Sequence, residues 1–180
     1  EGKPVLPTHH KVNPAGFTIH SAIHMAREDA QAVMHLHTPQ GQAVSAMACG
    51  LLPHTQVGMM ALDELAYHEY EGIALDHDER ERLIADIGTR KSMMLRNHGT
   101  MAVGETVGQC FQRLYFLERA CQAQVMMLAV GRDNLHEPAD GISDRVAGQS
   151  QAAVMNKIAD RLSWPALLRK LDRIDPGFRD

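Results

Sequence analysis

The sequence predicts a single α/β domain over residues 1–180, with helices packed on a central sheet. A chain of 180 residues with 44% hydrophobic side chains suits one domain with a sizeable core and leaves little room for two. Segments with helical patterning also alternate with short apolar runs typical of strands. This alternation indicates helices packed against a sheet.

The first helix and the first strand have clear signals. Asn13-Pro14 favours a helix start, because Asn accepts a hydrogen bond from an unpaired N–H and Pro has no N–H to lose. We expect this helix to reach about Arg27. Residues 31–38, QAVMHLHT, form a short apolar run that predicts a central strand.

The middle of the chain gives weaker signals. Residues 39–50 predict a second helix that ends at a glycine, and residues 56–60 predict a strand. Residues 65–73 are ambiguous. Residues 78–88 have the charge pattern of an exposed helix.

Two further strands and the longest helix follow. Residues 92–96 and 101–103 predict strands joined by a tight turn over residues 97–99. Thr106 and Gln109 form a capping box, which is a sequence signature of a helix start.

The longest helix should run from this capping box to Gly131, since its apolar positions keep helical spacing. Cys110 and Cys121 fall on its apolar stripe, so we expect both to be buried. From about residue 144 the sequence predicts a helical tail, with one helix over residues 144–161 and a short one over residues 166–174.

Composition excludes two classes of partner. Lys+Arg 18 against Asp+Glu 22 gives a net charge of −4 without a basic cluster, so neither nucleic acid nor an anionic membrane is an expected partner. No apolar run approaches the roughly 18 residues of a membrane helix, and the first residues lack the order of a secretory signal. We therefore expect a cytoplasmic protein whose three cysteines are reduced thiols.

Eleven histidines are the main source of reactive side chains. His35 and His37 lie in the predicted first strand, where alternate side chains leave the same face and could both bind a divalent ion. Catalytic zinc uses about three protein ligands, and His98 is the best third one, because it follows a second core strand where Gly99 lets the chain turn sharply. Such a site suits Zn²⁺, and also Mn²⁺, Fe²⁺ or Co²⁺.

Simpler roles for the histidines stay open. Any single histidine is more often packed or solvated than a ligand. His20 and His24 share a helix face at the spacing of a metalloprotease motif, but Ser21 stands where the proteases have their base, so a structural or supporting role is expected. The remaining histidines are expected at the surface: His9, His10, His54, His68, His77 and His136.

Four runs carry a resemblance to a known family: NPAGFTIHSAIH, HLHTPQGQAVSAMACGLLP, LAYHEYEGIALD and LRNHGTMAVGETV. Over residues 3–131 the chain resembles the class II aldolase/adducin family, and the adducin head domain more than the sugar-phosphate aldolases. The resemblance implies a three-layer αβα sandwich with a mostly antiparallel or mixed sheet. It also implies zinc on His35, His37 and His98, and a homotetramer with active sites between subunits.

The same resemblance implies an upstream part of the domain, with strands and a Gly-Asn-containing phosphate-binding loop, which this sequence does not include. We therefore expect an N-terminally truncated domain. This expectation concerns the stretch before Glu1.

Two catalytic positions of the fuculose-phosphate type of aldolase differ in this chain. Their catalytic glutamate corresponds to Gly16, and their acid tyrosine falls near Gln56, which is a weak candidate for substrate binding. The nearest acid/base candidates in sequence are Glu64 and Tyr67, followed by Glu69. A solvated loop is the alternative for each of them.

The sequence thus leads to two functional hypotheses. The first is a divalent-metal-dependent lyase that cleaves a C–C bond of a small oxygenated substrate, by retro-aldol cleavage or decarboxylation, through a metal-stabilised enediolate or enolate. The alternative is a non-catalytic, adducin-like oligomerisation module with a vestigial or structural metal site. The absence of the catalytic glutamate and of the acid tyrosine favours the alternative, and the three intact ligands favour the lyase.

Overall fold

A computed structural model describes residues 3–75, 77–150 and 152–179, and it contains a four-stranded sheet between helices. The helices are α1 (Pro14–Ala26), α2 (Pro39–Ser45), α3 (Gln56–Asp63), α4 (Glu79–Ile87), α5 (Val107–Leu128), α6 (Ile142–Gln149), α7 (Ala152–Ile158) and α8 (Trp164–Ile174). The strands are β1 (Ala32–Leu36), β2 (Leu65–His68), β3 (Ser92–Leu95) and β4 (Gly99–Gly104). Single turns of π-helix (Ala159–Ser163) and 3₁₀-helix (Arg132–Asn134 and Pro176–Arg179) complete the chain.

The sheet is mixed, in the order β1-β4-β3-β2, which confirms the predicted α/β class. β4 runs antiparallel to β1 and β3, and β2 runs parallel to β3. Leu36 pairs with Thr100, and Leu95 pairs with Gly99. The ends of β1, β2 and β3 and the start of β4 therefore share one edge of the sheet.

Helices cover both faces of the sheet. One cluster packs α1 and α4 on it and includes Ile19, Ile23, Leu83, Ile87, Met93, Leu95, Met101 and Val103. The opposite cluster packs α2, α3 and α5 and includes Val44, Leu51, Leu65, Met94, Leu117, Ala120 and Cys121. Because successive strand residues point to opposite faces, the neighbours Met93 and Met94 belong to different clusters. This is the three-layer arrangement that the family resemblance implies.

Side chains cap the main helices as predicted. Asn13 Oδ1 accepts a hydrogen bond from Ala15 N at 3.1 Å, and Thr106 Oγ1 accepts one from Gln109 N at 3.1 Å. The reciprocal half of the predicted capping box does not form, because Gln109 Nε2 donates to Asp160 Oδ2 and Gln109 Oε1 has no partner among the described residues. The two cysteines of α5 are fully buried. The long helix ends at Leu128, close to its predicted end.

The prediction of a strand over residues 56–60 is wrong, because this segment forms the start of α3. Thr55 Oγ1 accepts a hydrogen bond from Gly58 N at 3.0 Å and satisfies an N–H of the first turn. A short apolar run has no decisive periodicity, so the cap decides the outcome. The ambiguous residues 65–73 contain β2.

Two other helices differ from their predicted bounds. The helix predicted over residues 39–50 ends at Ser45, and a turn continues to Gly50, which has a φ of 63°. The helix predicted over residues 144–161 begins at Ile142 and is divided into α6 and α7. No helix of the described residues is long and apolar enough to cross a bilayer.

Candidate metal centre

Three histidines meet at the shared edge of the sheet. His35 lies in β1, His37 follows β1, and His98 lies in the turn between β3 and β4. The Nε2 atom of His35 is 2.7 Å from Nε2 of His37 and 3.3 Å from Nε2 of His98. Among the described residues, these three form the group whose donor atoms all lie within 4.8 Å of one another.

A backbone carbonyl sets the proton position on His35. Its Nδ1 lies 2.9 Å from the carbonyl oxygen of Thr100, which can only accept a hydrogen bond. Nδ1 therefore carries the proton, and the lone pair of Nε2 faces the other two histidines. Metal-binding histidines commonly have such a partner on the second ring nitrogen.

The electrostatics keep two of the three rings neutral at pH 7. Burial, followed by the neighbouring imidazoles of His98 and His37, lowers the pKa of His35 to about 4. Burial, followed by His37, also lowers the pKa of His98. Neutral imidazole is the form that binds a metal ion, so these two ligands need no deprotonation at physiological pH.

The geometry fits a first-row divalent ion. A tetrahedral ion with bonds of about 2.0–2.1 Å to nitrogen places its ligand atoms about 3.3 Å apart. The His35–His98 separation has this value, whereas the His35–His37 separation of 2.7 Å is shorter, so the exposed His37 ring would have to move outward to bind the ion. His37 is exposed, and the other two rings are half-buried. Three protein nitrogens would thus hold the ion and leave its remaining positions toward solvent.

The turn between β3 and β4 differs in detail from its prediction. The left-handed residue is Asn97, with a φ of 55°, whereas Gly99 does not have a positive φ. A glycine is required at position 99 because no side chain would fit there. A Cβ there would overlap the carbonyl oxygen of Leu36 and would lie 3.2 Å from His37 Cδ2 and 3.3 Å from His35 Cε1.

A cavity of about 520 Å³ opens beside His35. Its lining includes His20, Thr38, Phe111 and Glu118. Burial, followed by the nearby His24, lowers the pKa of His20, so this second imidazole is also neutral at pH 7. His20 therefore borders the same space as one of the metal-ligand candidates.

The acid/base candidates chosen from sequence are engaged elsewhere. The Glu64 carboxylate accepts a hydrogen bond from Arg113 Nε at 3.1 Å. The Tyr67 hydroxyl accepts one from Leu51 N at 2.9 Å. Gln56 is exposed in the first turn of α3. The catalytic or binding roles of these residues stay predictions.

Sequence reasoning missed the aromatic residue beside the triad. The ring centroid of Tyr70 lies 6.1 Å from that of His98, and 51% of the residue is exposed. Tyr70 comes two residues after β2, and β2 runs parallel to β3. The parallel pairing, which the sequence did not reveal, brings both strand ends to the same edge.

Two histidines expected at the surface are buried. His68 is 3% exposed, with Nδ1 2.7 Å from Asp86 Oδ2 and Nε2 3.4 Å from Glu79 Oε1. The side chain of His54 is 4% exposed and lies 3.8 Å from a carboxylate oxygen of Glu137. Both predictions were wrong. Two carboxylates of α4 bond the ring of His68, whereas the Nδ1 atom of His54 is buried without a hydrogen-bond partner among the described residues.

Position 16 is open in the structure. A Cβ on Gly16 would meet only the Asn13 side chain, at 3.8 Å or more. A Cβ would therefore fit at this position, so a close contact at the Cβ does not explain the glycine. The structure gives no reason for the absence of a carboxylate there.

Comparison with known proteins identifies relatives of this chain. The family described as Class II Aldolase and Adducin N-terminal domain matches residues 1–125. A Caulobacter vibrioides protein, provisionally named an aldolase class 2 protein, is 53% identical over 100% of this chain and 69% of its own length. Alpha-adducin of Rattus norvegicus is 48% identical over 93% of this chain and 24% of its own length.

A solved structure shows the same fold. The crystal structure of an aldolase II superfamily protein from Pseudomonas syringae has a TM-score of 0.90 and 43% sequence identity. The match covers 99% of this chain and 71% of that one. With its mixed sheet between helices and its histidine triad, the chain belongs to the class II aldolase/adducin family.

Proposed function

We propose that this chain is a divalent-metal-dependent lyase that cleaves a C–C bond of a small oxygenated substrate, by retro-aldol cleavage or decarboxylation. The convergence of His35, His37 and His98 supports this proposal. Structural zinc sites use four protein ligands, whereas catalytic sites use about three and leave a position open. A three-histidine set on a solvent-facing edge is of the second kind.

A divalent ion in this site would act as a Lewis acid and stabilise the negative charge that develops on oxygen as the bond breaks. The residues of the chain hold the ligand nitrogens in position. The Thr100 carbonyl fixes the ring of His35, and Gly99 lets β4 approach the rings of His35 and His37.

The chain must also supply a group that moves a proton, because the carboxylate of the fuculose-phosphate type of aldolase has no counterpart at Gly16. Tyr70 is our candidate, since its phenol ring lies beside His98 on the exposed side of the triad. General acid–base groups contribute about 10²–10⁴-fold in rate, so Tyr70→Phe should lower activity within that range.

The apolar-walled cavity beside His35 fits a small molecule better than a polymer. We further propose that the chain forms a homo-oligomer, because the family resemblance implies a homotetramer. Mass measurement in solution tests this independently of activity.

A non-catalytic, adducin-like module is the second candidate. It is supported by Gly16, which carries no carboxylate although a Cβ would fit there. The identity of 48% to alpha-adducin is consistent with it. In this case the triad would hold a structural metal ion or none.

Metal analysis is the first test. The purified protein should contain close to one divalent ion per chain, and His35→Ala or His98→Ala should remove it. His136→Ala is the matched control, because His136 is exposed and outside the triad. A wild-type protein that binds no Zn²⁺, Mn²⁺, Fe²⁺ or Co²⁺ would refute the metal site.

Proton exchange is the second test. A lyase of the aldolase type should exchange the pro-chiral proton of a dihydroxyacetone-type substrate in D₂O, and NMR should show that a chelator abolishes the exchange. Carbon dioxide release from a panel of oxygenated acids tests the decarboxylase variant. With metal bound, inactivity in both assays would favour the adducin-like module.

A further inference from the structure

The structure places an acidic residue, Glu118, against both segments that carry the candidate metal ligands. We propose that Glu118 is a positioning residue for the metal, which joins the two ligand segments and supplies negative charge opposite the ion. This inference rests on the proposed metal site. It concerns the affinity for the ion and not the chemical step.

Glu118 bonds to both segments that carry the histidines. Its Oε2 accepts a hydrogen bond from the hydroxyl of Thr38, the residue that follows His37. Its Oε1 accepts one from the hydroxyl of Thr100, whose carbonyl oxygen orients His35. One carboxylate on α5 therefore connects β4 with Thr38, the N-cap residue of α2 that directly follows His37.

Packing fixes the carboxylate in this position. A Cβ on Gly41 would lie 2.9 Å from Glu118 Oε1, 2.9 Å from Thr38 Oγ1 and 3.1 Å from Thr100 Cγ2. Gly41 N also donates a 2.9 Å hydrogen bond to Thr38 Oγ1, so that hydroxyl has both a donor and an acceptor partner. The hydroxyl of Thr38 is thus held with its proton toward Glu118.

The charge of Glu118 is not balanced by a protein cation. Glu118 is half-buried, and no lysine, arginine or histidine of residues 3–75, 77–150 and 152–179 forms an ion pair with it. By contrast, Glu64 on the same face of the sheet pairs with Arg113 at 3.1 Å. Removing a carboxylate from water is costly without a counter-charge, and a divalent ion held by the adjacent histidines would provide one.

A purely architectural role is the alternative, in which Glu118 only ties α5 to the sheet. A variant that removes the charge of Glu118 but keeps its shape distinguishes the positioning role from the architectural role, because the first predicts a loss of metal affinity and the second a loss of stability. Glu118→Gln keeps a similar shape: its one amide oxygen can accept from the Thr38 hydroxyl, and its NH₂ group can donate to the Thr100 hydroxyl, which must turn to accept. It should therefore lower metal affinity strongly while changing the stability of the metal-free protein little.

The test measures Zn²⁺ affinity by competition with a chromophoric chelator, and the visible absorption of bound Co²⁺ as a report on ligand geometry. Loss of a residue that supports metal ligands typically lowers the affinity for the metal ion by about 10–100-fold. We expect a loss of this size in the Zn²⁺ affinity of Glu118→Gln. Glu105→Gln is the matched control, because it removes the same charge from an exposed residue beyond the opposite end of β4. It should bind Zn²⁺ as the wild type does.

A second variant separates the hydrogen bonds from the charge. Thr100→Val removes the hydroxyl that binds Glu118 but keeps the backbone carbonyl that binds His35. We expect about a 10-fold loss of affinity and an altered Co²⁺ spectrum. This variant also serves if Glu118→Gln fails to fold.

Urea unfolding in the presence of chelator completes the test. Affinity of Glu118→Gln within threefold of the Glu105→Gln control would overturn the inference. A loss of metal-free stability with unchanged affinity would also overturn it. A wild-type protein that binds no Zn²⁺ would instead contradict the proposed metal site, and this inference with it.

Discussion

Gly99→Ala should disrupt the metal centre without removing any ligand. The new Cβ would overlap the carbonyl oxygen of Leu36 and crowd the rings of His37 and His35 at 3.2 and 3.3 Å. Since atoms in contact need about 3.5 Å, β1 must move away from β4 by roughly 1 Å at this end. The Leu36–Thr100 pairing then weakens, at a cost of about 1–3 kcal/mol in the free energy of unfolding.

A shift of this size is large for a metal site, where bond lengths hold within about 0.2 Å. His35 and His37 move with β1, whereas His98 precedes β4, so the three nitrogens no longer converge. We therefore expect the Zn²⁺ affinity to fall by at least about 10-fold. Loss of a single contact that supports a metal ligand has an effect of this size.

The assay combines urea unfolding with Zn²⁺ competition. Gly148→Ala is the control, because a Cβ there meets nothing within 4 Å and the residue lies in α6. The control should bind Zn²⁺ normally and be slightly more stable, since Ala favours a helix over Gly by up to about 1 kcal/mol. Wild-type affinity and stability in Gly99→Ala would refute the reasoning.

Two further predictions concern stability and thiol reactivity. The Arg27 guanidinium beside Asp29, helped by a neighbouring lysine, lowers the pKa of Asp29 from 3.8. The resulting stabilisation is complete above pH 3.8 and is lost as the pH falls through the lowered pKa, so Asp29→Asn should cost about 1 kcal/mol at pH 7. In urea unfolding, this difference should shrink below pH 3.8; a constant difference would contradict the ion pair. Burial raises the pKa of Cys110 to about 11 and that of Cys121 to about 12, whereas Cys49 is exposed. A thiol reagent should thus modify one cysteine of the native protein and three after unfolding, and fast reaction of all three would contradict the packing of α5.

The metal-ligand candidates could be chosen from sequence because each depends on local geometry. His35 and His37 are two residues apart in a strand, so their side chains leave the same face in any sheet of this register. His98 follows a second apolar strand. The structure brings the three together at one edge because β4 runs antiparallel to β1 and β3.

Other features depend on contacts between distant segments and could not be predicted in this way. His68 is buried because Glu79 and Asp86, on α4, cover its ring. Tyr70 reaches His98 only because β2 pairs in parallel with β3. The α3 segment was predicted wrongly for a different reason, because a short apolar run fits a strand or a helix equally well.

Gly16 and Glu118 both bear on how this site could move a proton. Position 16, where the fuculose-phosphate type of aldolase has its base, has no carboxylate, although a Cβ would fit there. Glu118 is engaged, because each of its oxygens accepts a hydrogen bond from a threonine hydroxyl. We therefore expect another group beside the triad to move the proton, and Tyr70, whose ring centroid lies 6.1 Å from that of His98, is our candidate. A lyase built on this site should depend on Tyr70 for turnover and on Glu118 for metal affinity, and the two variants should show separate defects.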